Sequence, residues 1–188
     1  MDEKENRLVE LVLTGNPEAF EPLVTPYRSS LLGLAHRLTG NIEEAKEASQ
    51  ETLLKAFRYL RSFDRQKSFK NWLLGILVNV CRSQVKKRKE ATLSNSAFFA
   101  SAPINPWDPA RLHQQKELRA RIWGCLNVLS RREREVFLLR DIEDRTIRET
   151  SRILGCSSLS VRVHLSSARR KIKDRLRLTA PGNTEVSP

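Results

Sequence analysis

The sequence predicts an all-α protein: two small helical modules joined by a flexible linker, the second a helix-turn-helix domain that is winged-helix-like but has no wing. Apolar residues recur at α-helical spacing along most of the chain. Glycines number only seven, and runs of β-branched residues, typical of strands, are few. Residues 91–107, ATLSNSAFFASAPINPW, carry no charge and have the composition of a linker. The predicted boundaries are 1–90 for the first module, 91–110 for the linker, 111–178 for the second module and 179–188 for a disordered tail.

The chain is strongly basic, with a formal net charge of +12 over 188 residues. Such a balance favours a polyanionic partner, with nucleic acid first and an anionic membrane surface second. Three cysteines, Cys81, Cys125 and Cys156, are widely spaced and odd in number. They indicate neither a disulfide framework nor a metal site, which suggests a reducing cytosol. We predict no cofactor and no signal peptide. We also predict no membrane insertion, because the apolar runs are shorter than the ~20 residues that a spanning helix needs.

Prolines and glycines mark the helix ends of the first module. A short helix is expected over residues 2–13. Pro26 breaks or kinks the chain ahead of a helix over residues 27–38, which Gly40 closes. Asn41 then begins the next helix as its N-cap.

The helix from Asn41 to about Leu60 is acidic in an otherwise basic chain. Its first half carries Glu43, Glu44, Glu47, Gln50 and Glu51. Its apolar face is expected from Leu53, Leu54, Ala56, Phe57 and Leu60. Acids near a helix N-terminus are explained by the helix dipole. The sharper interpretation is a docking surface for a basic partner protein.

The longest helical pattern covers residues 68–90, SFKNWLLGILVNVCRSQVKKRKE. Its first half is aromatic and aliphatic around Trp72, and its last part is basic. We therefore expect a helix that is buried early and emerges into solvent late. A polar loop, residues 63–67, leads into it. Charge alone leaves two interpretations open, a nucleic-acid-binding helix and an ordinary solvated helix end.

Two capping boxes mark helix starts in the second module. Ser130–Glu133 begins one helix, which is expected to run through Arg140. Thr146–Glu149 begins a short helix that ends at Gly155. Ser157 then caps a longer basic helix that extends to about residue 178. A short helix, a glycine-containing turn and a second helix make a helix-turn-helix.

The last helix divides into two faces. A core face is expected from Val161, Leu165, Ala168 and Ile172. A second stripe contains Leu159, Val163, Ser166, Ser167 and Arg170. Such a stripe fits a DNA major groove, with Val163 against a thymine methyl and the serines on base edges or phosphates. Arg162, Arg169 and Lys173 flank it and suit phosphates; an ordinary solvated face is the alternative.

The sequence offers no enzyme active site. The three histidines lack neighbours that would complete a metal or catalytic set, and there is no Walker-type glycine loop, GxSxG or HExxH motif. A nuclease is disfavoured for the same reason. A membrane-surface protein and a helix-turn-helix regulator that binds duplex DNA without polymerase remain as alternatives.

In combination, four segments in order resemble a bacterial RNA polymerase sigma factor of the extracytoplasmic-function (ECF) group of the sigma-70 family. They are residues 17–40, PEAFEPLVTPYRSSLLGLAHRLTG; residues 42–57, IEEAKEASQETLLKAF; residues 68–90; and residues 129–176, which begin LSRRERE. The resemblance implies a cytoplasmic, nucleoid-associated, non-enzymatic protein with sigma region 2 in the first module and region 4 in the second. It also implies core RNA polymerase (the β′ coiled coil and the β flap), promoter DNA and an anti-sigma factor as partners.

The resemblance implies residue roles as well. Core-polymerase binding falls on Glu47, Gln50 and Glu51. Recognition of the −10 element falls on Phe63, Lys67, Phe69, Lys70, Asn79, Lys86 and Arg88. Recognition of the −35 element falls on Ser157, Ser160, Arg162, Val163, Ser166, Ser167, Arg169 and Arg170. The chain departs from the family pattern at Ala48 and Ser49, where Leu-Val is usual, at Ser83, where Asp is common, and at Leu159, His164, Ser166 and Ser167.

Overall fold

The computed structural model describes residues 3–94 and 123–178, and within these ranges the secondary structure is helical, without a strand. The chain divides into two units between residues 102 and 103. The predicted linker beyond residue 94, including Phe98 and Phe99, and the tail after residue 178 lie outside the described residues. No helix in the described ranges is long and apolar enough to cross a membrane.

Within residues 3–94, the first unit has five α-helices in the order α1 Glu3–Leu13, α2 Phe20–Val24, α3 Arg28–Thr39, α4 Ile42–Arg58 and α5 Phe69–Ser94. The 3-10 turns Pro17–Ala19, Thr25–Tyr27 and Leu60–Ser62 connect some of them. Helices α3, α4 and α5 pack on one another, and α1 packs on α2 and on the 3-10 turn that precedes it. The core therefore lies between α3, α4 and α5, and α5 contributes many of its buried side chains.

Local signals explain the helix ends of this unit. Pro26 lies in the 3-10 turn between α2 and α3, so the predicted break is confirmed. Gly40 follows α3 with φ 79°, the left-handed conformation that glycine adopts without strain. The Asn41 side chain accepts hydrogen bonds from the backbone N–H groups of Glu43 and Glu44 at 2.8 and 3.2 Å, which confirms it as the N-cap of α4.

Burial along α5 follows the predicted course. Its buried side chains include Phe69, Leu73, Leu74, Leu77, Val78, Val80 and Cys81. Each buried leucine contributes about 1.5–3 kcal/mol relative to an exposed one. Lys86, Lys87 and Arg88 are exposed. The helix continues to Ser94, four residues past the boundary expected at Glu90.

The described part of the second unit comprises residues 123–127 of α6, α7 Arg131–Phe137, a π-helical turn Leu138–Ile142, α8 Ile147–Leu154 and α9 Ser158–Leu178. Both predicted capping boxes are present, at Ser130–Glu133 and Thr146–Glu149. Their reciprocal hydrogen bonds satisfy backbone groups that a helix end would otherwise leave unpaired. The structure corrects one detail, because the helix predicted to continue to Arg140 turns π-helical after Phe137.

Candidate nucleic-acid and partner interfaces

The helix-turn-helix is built from three local signals. The α8 capping box starts the first helix, and Gly155 ends it with φ 62°. The hydroxyl of Ser157 then accepts a hydrogen bond from the Ser160 backbone N–H at 3.1 Å, so α9 begins at Ser158. Because each signal is local, the motif is readable from the sequence.

Helix α9 presents the two predicted faces. Val161, Leu165 and Ala168 are buried, as the spacing predicted, and Ile172 is half-buried. Leu159 is 68% exposed and Val163 is 59% exposed. The neighbouring side chains of Arg162, Ser166 and Arg170 are also exposed. We call Leu159, Arg162, Val163, Ser166 and Arg170 the outer face of α9; exposed apolar groups among cations and a hydroxyl fit a DNA groove.

Two side chains expected on DNA are engaged inside the unit instead. The Ser167 hydroxyl donates a 2.7 Å hydrogen bond to Glu133. The Arg169 guanidinium donates two hydrogen bonds to Asp141, at 2.9 and 2.6 Å, and this carboxylate raises the pKa of Arg169. The sequence pattern did not show these contacts, because both acids lie about 30 residues away along the chain.

Glu133 is the centre of the contacts that hold α9 on α7. Its carboxylate accepts hydrogen bonds from Ser167, from Lys171 at 2.8 Å and from the Ser130 backbone N–H at 2.8 Å. Burial by itself raises the pKa of this carboxyl. The hydrogen bonds outweigh that effect and lower the pKa to about 2. Glu133 is therefore ionised under physiological conditions and fixes the helix that carries the outer face.

An open groove lies beside the second half of α9. Phe137, Ile172 and Leu176 line it together with the cations Arg169, Lys173 and Arg177, and its volume is about 490 Å³. Leu176, half exposed, had no role in the sequence analysis. The sequence signal that could have identified the groove is an apolar residue between two arginines at the basic end of a helix.

The structure corrects part of the apolar face predicted for the helix from Asn41 to Leu60, because Ala56 and Leu60 are buried as expected but Leu54 and Phe57 are not. The buried side chains of α4 are Ala45, Ala48, Thr52 and Ala56. Leu54 is 64% exposed, and Phe57 is also exposed although its ring contacts Phe20 edge-on. The small residues face inward because α3 and α5 both pack closely on α4.

The expected docking residues share the exposed side of α4. Glu47 and Gln50 are exposed, and Glu51 forms a 2.7 Å ion pair with Lys55. Glu47, Gln50, Glu51 and Leu54 have the spacing i, i+3, i+4, i+7. This spacing puts the four side chains on one face of the helix. We call Glu47, Gln50, Glu51 and Leu54 the α4 face. It combines negative charge with an apolar end.

The residues expected at the −10 element separate into buried and exposed groups. Phe63 and Phe69 are buried, with their ring centroids 5.4 Å apart, and Phe63 also packs on the half-buried Trp72 at 5.0 Å. In the loop, Lys67 forms a 3.0 Å ion pair with Asp64. The hydrogen bond from the Lys67 side chain, and a second one from the Gln66 backbone N–H, lower the pKa of Asp64. The two phenylalanines therefore support the loop from beneath, and its polar residues form the surface.

The second half of α5 carries the other residues expected at the −10 element. Asn79 and Lys86 are exposed, and Lys86 lies 3.7 Å from Glu90. Lys70 is half-buried. Arg88, by contrast, bonds to Glu44 at 3.1 Å. Within residues 3–94 and 123–178, no group of three or more His, Cys, Asp or Glu side chains is placed to hold a metal ion.

Family models match both units. Residues 23–91 match Sigma-70 region 2, and residues 119–172 match Sigma-70, region 4. The matched parts contain α3, α4 and most of α5 in the first unit, and α8 and most of α9 in the second.

Individual relatives agree with the family models. The RNA polymerase sigma-H factor of Pseudomonas aeruginosa is 28% identical over 182 residues, covering 93% of this chain and 94% of the relative. The ECF RNA polymerase sigma factor SigG of Mycobacterium tuberculosis is 28% identical over 194 residues, which span 89% of this chain and 52% of SigG. The chain thus matches about half of that longer relative.

A solved structure has a similar fold. The sigma factor RpoE from Bartonella quintana, determined in complex with the anti-sigma factor NepR, aligns with a TM-score of 0.71 and 25% identity. The alignment covers 86% of this chain and 98% of RpoE.

Proposed function

Since the chain belongs to the ECF group of the sigma-70 family of bacterial RNA polymerase sigma factors, we propose that it binds core RNA polymerase and directs promoter recognition and melting. The observation that carries the proposal is the presence of regions 2 and 4, in order, on one chain. A helix-turn-helix regulator needs only the second. Sigma factors are non-catalytic initiation factors, and we assign this chain no covalent chemistry.

The α4 face is the proposed site for core polymerase. Glu47 and Glu51 supply negative charge to a basic surface on the β′ coiled coil, and Gln50 adds a neutral polar contact. Leu54 adds an apolar contact at the end of the row. Charge at such an interface speeds association and selects the partner, while the apolar residue is desolvated on binding. The position of these side chains on one exposed face supports this role.

The loop and α5 are the proposed contacts with the −10 element. Lys67, Lys70, Asn79 and Lys86 lie on the surface of this part of the unit, where phosphates and unpaired bases can reach them. Single-stranded bases that stack or are captured contribute about 1–3 kcal/mol each, which favours melting. Phe63 and Phe69 act indirectly, by supporting the loop on which the polar residues lie.

The outer face of α9 is the proposed reader of the −35 element. Val163 and Ser166 face base edges, and Arg162 and Arg170 contact phosphates. The groove of Phe137, Ile172 and Leu176 is the proposed contact for the β flap. We also propose an anti-sigma factor as a partner, since the similar sigma factor of Bartonella quintana is bound to one. The proposed location is the cytoplasm, at the nucleoid.

Transcription in vitro tests the proposal. The purified chain is mixed with bacterial core polymerase and fragmented genomic DNA, and the 5′ ends of the transcripts are sequenced. We expect transcripts that share two promoter elements at a fixed spacing. Failure of the chain to bind core polymerase at low salt, together with specific binding to duplex DNA alone, would establish the polymerase-independent regulator instead.

A further inference from the structure

The second half of α5 extends beyond the core of its unit. Cys81 is the last residue of α5 with a buried side chain among those that the structure describes. The helix continues to Ser94 and carries the exposed Lys86 and Lys87 on the way. Lys87 lies about 9 Å beyond Cys81 at 1.5 Å per residue. A small change in the direction of the helix at Cys81 therefore displaces these cations substantially.

Arg88 ties this part of α5 to the corner between two other helices. Its guanidinium donates to both carboxylate oxygens of Glu44, at 3.1 and 3.3 Å, and to the backbone carbonyl of Thr39 at 3.4 Å. Thr39 is the last residue of α3, and Glu44 lies in the first turn of α4. A cation is favourable at the carbonyl end of a helix, and an acid is favourable at the amide end. One side chain therefore joins α5 to both neighbours.

The partners of Arg88 also bear on its role. Its side chain is 41% exposed and that of Glu44 is 24% exposed. To bind a DNA phosphate, Arg88 would have to leave Glu44, and the carboxylate would then lie close to the phosphate. Lys87 is exposed on the same stretch of α5. Phosphate binding is thus easier for Lys87 than for Arg88.

We propose that Arg88 is a positioning residue. Paired with Glu44, it sets the direction of the second half of α5 relative to α4, and it does not bind DNA phosphate itself. The inference rests on the proposed function, since α4 carries the docking face and α5 carries the −10 contacts. The Arg88–Glu44 pair then makes the position of α5 depend on α4, the helix proposed to dock on polymerase. Such coupling matters because the side chains of a functional surface must be held to within about 0.5 Å.

A mutant cycle tests the proposal. Open-complex formation by core polymerase with the full chain is measured on promoter DNA over a range of salt concentrations. The variants are Glu44→Gln, Arg88→Gln, the double variant and the exchanged pair Glu44→Arg/Arg88→Glu. We expect each single variant to lower open-complex formation about fivefold, the size of a typical part-exposed ion pair. The double variant should be no worse, because both changes remove the same contact.

Salt dependence distinguishes positioning from phosphate contact. The variants of the pair should keep the wild-type slope of log K against log salt. The exchanged pair should recover only part of the loss, because it places a cation at the amide end of α4 and an acid beside the Thr39 carbonyl. Lys87→Gln is the matched comparison, and it should reduce the slope by about 1, as loss of one phosphate contact does. Thermal melting of each variant verifies folding, and Glu44→Gln and the exchanged pair keep the test valid even where Arg88→Gln unfolds.

Two results would contradict different parts of the argument. Arg88→Gln lowering the salt slope, with Glu44→Gln neutral or favourable, would make Arg88 a phosphate contact and overturn the inference alone. If the wild-type chain forms no open complex with core polymerase, the proposed function itself fails.

Discussion

Lys171 on α9 lies 2.8 Å from Glu133 on α7, and the two form an ion pair whose acid is only 8% exposed. The pair joins the helix proposed to read DNA to the helix that supports it. Ser167, one turn earlier on α9, bonds to the same carboxylate. The position of the outer face therefore depends on the ionisation of one buried acid.

The first prediction concerns pH. The pKa of Glu133 in the folded chain is about 2, below its ordinary value of 4.5. A carboxyl whose pKa is lowered by folding stabilises the fold above its unfolded value, and this stability is lost as the pH falls from 4.5 towards 2. We expect the melting temperature of the chain to fall over that range. Glu133→Gln should lower the melting temperature at pH 7 and weaken its acid dependence.

Glu149→Gln is the matched control, because Glu149 forms the same type of capping box on α8 and accepts hydrogen bonds from Thr146. Removing a buried acid that holds several donors costs about 2 kcal/mol. Loss of a cap contact alone costs about 1 kcal/mol or less. Equal losses in the two variants, measured by thermal unfolding followed by circular dichroism, would show that the contacts to α9 add nothing.

The second prediction concerns the outer face of α9. Val163→Glu places a negative charge on a 59% exposed position of the face that is proposed to read DNA. We expect transcription that depends on the −35 element to fall at least about tenfold, since one good base contact contributes about 1–3 kcal/mol. Binding to core polymerase should not change. Val128→Glu, an exposed valine outside α9, is the control, and equal transcription from the two variants would refute the face assignment.

The third prediction concerns the α4 face. Replacing Glu47 and Gln50 by Ala should weaken binding to core polymerase about tenfold and slow association at low salt, because both side chains are exposed on the face proposed to dock on polymerase. Leu54→Ala should weaken it through lost apolar burial, with little effect on the salt dependence. Fluorescence anisotropy of the labelled chain, titrated with core polymerase, measures the affinity and the association rate of each variant. Glu18→Ala, at an exposed acid before α2, serves as control and should bind normally.

The fourth prediction distinguishes two roles for Phe69 in the first unit, which are packing beneath the loop and direct contact with the −10 element. Phe69 is fully buried and packs against Phe63 and Trp72. Phe69→Ala should destabilise the first unit by about 3–5 kcal/mol. Phe69→Leu keeps most of the volume, so it should retain the fold and the wild-type preference at the −10 element. A changed base preference in a stably folded Phe69→Leu chain would instead indicate direct contact with DNA.

Helix starts, and the helix ends set by a glycine, were the part of the fold most readable from the sequence, because their causes are local. A capping box needs a hydroxyl and a carboxylate three residues apart, as at Thr146 and Glu149. Gly155 ends α8 for an equally local reason, since glycine adopts positive φ without strain. The division of α9 into a buried and an exposed face followed from spacing alone.

The face of α4 could not be derived in this way. Its sequence offers large apolar residues on one side and small residues on another, and ordinary amphipathicity predicts that the large ones are buried. The structure buries Ala45 and Ala48 and leaves Leu54 exposed. Close packing of α3 and α5 selects small side chains, and this depends on the neighbours of α4 rather than on α4 itself.

The sequence by itself determined an all-α chain, its helix-turn-helix and the two regions of a sigma factor, since periodicity, caps and motif order are properties of neighbouring residues. Only the tertiary structure decided which of the expected contact residues are accessible. It buried Phe63 and Phe69, engaged Ser167 and Arg169 with distant acids, and paired Arg88 with Glu44. Burial and ion pairing join residues far apart in the chain, so they follow from how the helices pack.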